Sequence, residues 1–240
     1  METTLLPAGH LPHPVKEQVA ELLIQRFRID VSRWSPLEAM ARRYPRLVVS
    51  RSGDEVQAVL GIGHCRLGRG HAMVLGTLAA RQGFHGTEAL YQRALREVAW
   101  CWLRNPTRPL QVVGATSNPR VYAGILERAA SVYPSAELPA LDDGLREDLA
   151  ATLARYYGVE RIKSDNPDLL LVQAPEHARP LLVPEPDSRD PAQRYFMLAN
   201  PGFRAGDSLV FLIPCTWRSL VRTTLKLWGQ KPPRLAWSDR

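Results

Sequence analysis

Residues 73–104 read MVLGTLAARQGFHGTEALYQRALREVAWCWLR, and the change of period inside this stretch decides the fold. Up to Ala80 the run is apolar and strand-like. From residue 87 onward, Leu90, Ala94, Leu95, Val98 and Trp102 share one stripe, which predicts a helix over 87–104. Asn105-Pro106 ends it. Between the two lies Arg81-Gln82-Gly83-Phe84-His85-Gly86, followed by Thr87. The first amides of a helix have no partner within it and sit at the positive end of its dipole. Glycines let a backbone come close to a bound group. The junction is therefore suited to an anion such as a diphosphate, with Arg81 as a charge-assisted donor. A glycine pair before a helix is also ordinary turn chemistry. The absence of Gly-Lys-Ser/Thr excludes a P-loop. The absence of G-x-G-x-x-G, after strands that read as antiparallel, excludes a Rossmann fingerprint.

Upstream, Val15, Val19, Leu22, Leu23 and Phe27 predict an amphipathic helix over 14–29. Ser35-Pro36 opens a second helix reaching about residue 44. Runs at 47–50, 56–65 and 71–79, separated by SGDE and Gly-Arg-Gly, predict an antiparallel meander. Downstream, 110–116 reads as a strand and Asn118-Pro119 as the start of a helix over 119–130. Residues 131–194 are proline-rich, with a helix at about 142–157, brief apolar runs at 169–172 and 181–183, and a linker-like stretch at 184–193. Runs at 195–199 and 209–213 flank NPGFRAGDS and read as a hairpin. The tail, about 216–240, is basic and amphipathic.

The order of elements and two short motifs resemble the GNAT superfamily of N-acetyltransferases. There, a strand is followed by R/Q-x-x-G-x-G/A and a helix, and the turn holds the coenzyme A pyrophosphate. RQGFHG matches its first and last positions; Phe84 stands where the family usually has glycine, with Gly83 one place early. The second family segment, an asparagine opening the helix after the next strand, matches Asn118 after LQVVGATS. The resemblance covers about residues 45–134, with the closing hairpin as support. It implies an α/β fold, a mixed, largely antiparallel twisted sheet flanked by helices, with an insertion (about 135–194) before the final hairpin, in one domain spanning 1–240. It implies an acyl-CoA-dependent N-acyltransferase: acetyl by default, a longer chain if the insertion houses one, and an amine-bearing small molecule or peptide as acceptor. The cofactor set so implied is Leu78, Ala80, Arg81, Gln82, Gly83, Phe84, His85, Gly86, Thr87 and Asn118, with the Leu78 backbone as oxyanion donor. The family's tyrosine acid and glutamate base have no matching residue here. His64, His71 and Tyr122 are the nearest catalytic candidates, a histidine being able to take the ammonium proton near neutrality.

Net charge is +7 over 240 residues, which favours an anionic partner. A nucleic-acid module is the rival on charge and six tryptophans, but Trp100 and Trp102 fall on a helix and the basic residues are dispersed. A catalytically inactive member of the fold is a second rival. An acyl carrier protein or an anionic membrane surface is a candidate contact for the tail. Cys65, Cys101 and Cys215 are too few and too scattered for a disulfide framework or a zinc site. With no secretory signal or apolar run near 18 residues, a cytoplasmic protein is expected.

Overall fold

The meander, the long helix and the strand after it form as the periodicities predict, and the sheet grows from them. The computed structural model describes residues 1–27, 36–84, 86–138, 140–157, 162–163, 168–173 and 185–229. Strands β1 (Glu2–Pro7), β2 (Arg46–Ser52), β3 (Glu55–Leu67) and β4 (Gly70–Ala80) pair antiparallel in sequence order. Strand β5 (Leu110–Thr116) then lies parallel to β4. A parallel neighbour needs a crossover, and α3 (Thr87–Arg104) supplies it. Beyond β5 come β8 (Asp207–Cys215), β7 (Leu171–Gln173) and β6 (Ile162–Lys163), all antiparallel, giving the order β1-β2-β3-β4-β5-β8-β7-β6. This is the mixed, largely antiparallel sheet that the resemblance implies.

Strand alternation sends side chains to two helical layers. On one face, Leu47, Val49, Val59, Val74 and Ala79 pack with α1 (His13–Arg26) and α2 (Pro36–Arg43). Val48, Leu60, Ile62 and Met73 face the other way, under Leu90, Ala94 and Val98 of α3. On that second face β8 sends Phe211 to Ile125 of α4 (Pro119–Arg128), and Ile213 to the α3 cluster. The helix at α5 (Asp143–Tyr157) joins the first layer. Its Leu149 and Leu153 are fully buried against Leu67, Val113 and Val210, at about 1.5–3 kcal/mol for each side chain. Thr152 Oγ1 donates to the Arg66 carbonyl at 3.5 Å, and the Tyr156 hydroxyl donates to the Arg43 carbonyl. The helix of the insertion is thus part of the sheet's own core.

The closing segment differs from the sequence expectation. Residues 195–199 are not a hairpin arm; they belong to α6 (Pro191–Ala199), and 191–193 are helical rather than linker. Asp190 caps this helix, accepting from Ala192 N at 2.8 Å and Gln193 N at 3.4 Å, with Pro191 in the first turn. Gln193, Phe196 and Ala199 form its buried side. A five-residue apolar run fits either period, and the cap settles it. The antiparallel partner of β8 is β7 instead, with α6 and a 3-10 turn at Phe203–Ala205 between them. The apolar run at 181–183 lies outside the described residues.

Candidate active site

The parallel ladder between β4 and β5 runs from His71↔Leu110 to Leu75↔Gly114 and stops there. Yet β4 continues through Gly76–Ala80, and β5 through Ala115 and Thr116. The cause lies on the other side of β4. Its register with β3 passes from Val59↔Ala79 to Gly61↔Gly76, so Leu60 alone stands opposite both Thr77 and Leu78. That extra residue is a β-bulge, which bends and twists the strand that carries it. Thr77 takes φ 52, a costly conformation for a β-branched residue. The bulge therefore directs the end of β4 away from β5, and Thr77 and Leu78 fall outside both registers. Thr77 carries no motif of its own. Gly76 inside an otherwise regular strand pattern was the available signal.

Beyond Ala80, which pairs with Ala58, the chain turns into α3. Arg81 N donates to Gln57 O at 2.8 Å, and Phe84 N closes a turn on Arg81 O at 3.2 Å. Gly83 sits at φ 75 with open space where a Cβ would be. Phe84 is buried in the α3 cluster beside Leu90, so the residue in place of the family's glycine anchors the turn from below. Gly86 is the N-cap, and no side chain caps the helix. A Cβ on Gly86 would stand 2.6 Å from both Met1 Sδ and Phe84 Cζ, so a side chain there would have to displace the Met1 and Phe84 side chains. Among the described residues, the backbone N–H groups of Gln82, Gly83, Gly86, Thr87 and Glu88 have no bonded partner. These are the donors an anion would meet. His85 lies outside the described residues.

Arg81 is placed differently from its expected role. Its Nε donates to Val56 O at 2.9 Å and lies 3.2 Å from Glu55, so its guanidinium is turned toward β3. Glu88, in the first turn of α3, is paired with Arg128 at 2.9 Å, which offsets its negative charge near the amides. Asn118 opens α4 just past β5. Its side-chain oxygen accepts from Arg120 N at 2.9 Å and Val121 N at 3.4 Å. Thr116 Oγ1 accepts from Asn118 N at 3.0 Å, which sets the path of the chain into the helix. The oxygen of Asn118 is thus a cap, and its amide nitrogen keeps two donors.

The three catalytic candidates do not converge on this gap. His71 pairs with Leu110 at the start of both strands, and Ala80 is the far end of β4, about 30 Å along the strand. His64 pairs with Met73. Both histidines line a cavity of about 120 Å³ with Cys65, Cys101, Asn105 and Arg108, at the C-terminal end of α3. Arg108 Nη1 stands 3.2 Å from His71 Nε2. Desolvation, with the nearby Arg46 charge, holds the His64 pKa below its ordinary value. Tyr122 is fully buried, stacked on Tyr195 at 6.2 Å, and its hydroxyl donates to the Pro134 carbonyl. Burial raises its pKa well above the ordinary phenol range. It is a core residue.

The solved structures that align with the chain include acyltransferases. An aminoglycoside 6'-acetyltransferase type Ii aligns at 12% identity and TM-score 0.42, over 89% of this chain and 97% of that one. An aminoglycoside 6'-N-acetyltransferase complexed with coenzyme A aligns at 11% identity and TM-score 0.39, over the same shares. An acyl-CoA N-acyltransferase from Pseudomonas aeruginosa aligns at 15% identity and TM-score 0.34, over 47% of this chain and 77% of that one. No family model and no curated protein matches the chain. At these identities and scores the functional reading rests on the chain's own residues.

Proposed function

We propose that the chain is an acyl-CoA-dependent N-acyltransferase. One observation carries this reading: the β4–β5 ladder ends at Leu75↔Gly114, and β4 then leads past a bulge straight into unpartnered amides at the N-terminus of α3. An elongated ligand with an anionic end fits such a gap, diphosphate at the helix and arm between the strands. The residues suit coenzyme A on chemical grounds. Gly83 and Gly86 present the peptide closely, and the open amides of Gln82, Gly83, Gly86, Thr87 and Glu88 supply donors without a lysine. Bound there, the thioester supplies an activated carbonyl for attack by an amine. Leu78, outside both registers, offers its N–H to the oxygen on which charge develops. Asn118 orients the arm from the β5 side. Acetyl is the default acyl group. An amine-bearing small molecule or peptide is the acceptor, and its proton passes to water, since His71 stands at the start of β4 and His64 opposite Met73, about 17 Å along the strand from Leu78.

The same placement favours a second reading, a member of the fold that binds an acyl ligand without turnover. Incubation with acetyl-CoA and longer acyl-CoA thioesters should raise the melting temperature by mass action. Release of free thiol with a panel of amines then separates the two readings. No shift with any of these thioesters, or with coenzyme A itself, would refute both.

A further inference from the structure

A separate surface lies on the α3 side of the sheet. Helix α7 (Trp217–Gly229) follows β8 and packs beside α3, with Leu220 in the α3 core cluster. A further side meets α4, and the remaining side is exposed. Trp217, Val221 and Leu225, spaced by four, form one stripe that is 50–64% exposed. Arg218 and Arg222 form the adjoining stripe with Lys226, whose Nζ donates to the Ala129 carbonyl at 3.0 Å, and α7 contains no acidic residue. On α3, Trp100 and Leu103 are exposed to the same extent. An arginine lies against each tryptophan, Arg104 at 4.6 Å from Trp100 and Arg218 at 5.4 Å from Trp217. On the β1 side of α3 a recess of about 490 Å³ is lined by Arg46, Arg93, Arg96 and Trp100, with Glu97 as its one carboxylate.

We infer that the exposed stripe of α7 docks the protein on an anionic phospholipid surface. Exposed aromatic and aliphatic side chains bordered by cations are what the interface between headgroups and acyl chains receives. A second copy of this chain is a poor occupant, because two such faces bring like charges together on a protein of net charge +7. No helix among the described residues is long and apolar enough to cross a membrane, so the contact is peripheral.

The test is co-sedimentation of the full chain with phosphatidylcholine vesicles, with and without phosphatidylglycerol. The protein should pellet with the anionic vesicles, stay in solution with the neutral ones, and be released by high salt. The double variant Arg218→Gln/Arg222→Gln should weaken partitioning by about 30-fold, at a factor of about 5 per basic residue. Leu225→Glu should abolish it. Circular dichroism of both variants should match that of the parent, since these side chains are exposed. Failure to pellet with either vesicle would overturn the proposal, as would equal binding to both. So would sedimentation velocity showing a dimer that Leu225→Glu dissolves.

Discussion

Replacing Gly83 by aspartate and, separately, by asparagine isolates the charge of the proposed anion site. Nothing lies within 4 Å of a Cβ at Gly83, so both side chains fit. Both share the same backbone penalty at φ 75, about 1 kcal/mol, and both residues tolerate the left-handed region better than most. They differ by one negative charge at the mouth of the amides. A diphosphate carrying about two charges at about 6 Å is repelled by about 1.4 kcal/mol in bulk water, and by several-fold more at an effective dielectric near 20. At low ionic strength the aspartate variant should therefore bind coenzyme A at least about tenfold more weakly than the asparagine variant. Isothermal titration calorimetry reads the ratio, and matching thermal melts verify that both variants fold. The ratio should shrink as salt is added. Equal affinities at low salt would refute the placement of the diphosphate.

Tyr122→Phe removes a buried hydroxyl and leaves the Pro134 carbonyl without its donor, which should cost about 1–2 kcal/mol in a urea melt. Turnover should be unchanged at a temperature where the variant is folded; a loss of orders of magnitude in kcat would restore the residue as an acid. Substituting His64 or His71 by alanine should likewise leave kcat/KM within about threefold, because His64 stands opposite Met73, about 17 Å along β4 from Leu78, and His71 is farther still. Since burial lowers the His64 pKa below 6.5, the unfolded chain binds more protons in the window just below that value. Stability should therefore fall as pH drops through it, and His64→Ala should flatten that slope in melts across the window.

Part of this region was readable from the chain. The stripe of Leu90, Ala94 and Val98 required a helix, and the glycines before it marked a turn, where Gly83 takes φ 75. Asn118 announced its helix by the same logic and is the observed cap. Phe84 looked like a defect in the motif, and the structure makes it the anchor beneath Gly86. Arg81 looked like a phosphate ligand, and contacts with Val56 and Glu55, distant in sequence, turn it away. The run at 195–199 fitted two periods, and Asp190, outside the run, chose the helical one.

Local order followed from the sequence because it depends on neighbours a few residues apart: the periods of β4 and α3, the caps, and the surplus of cations. Where strands part and which side chains meet depended on pairing between distant segments. Thr77 and Leu78 are displaced by a register set against β3, and no feature within β4 alone fixes that partner. The histidines of β3 and β4 were drawn to one end of the sheet by the same ladder that opens its other end. Backbone hydrogen bonding between remote strands, which the order of residues along one segment does not encode, made that decision.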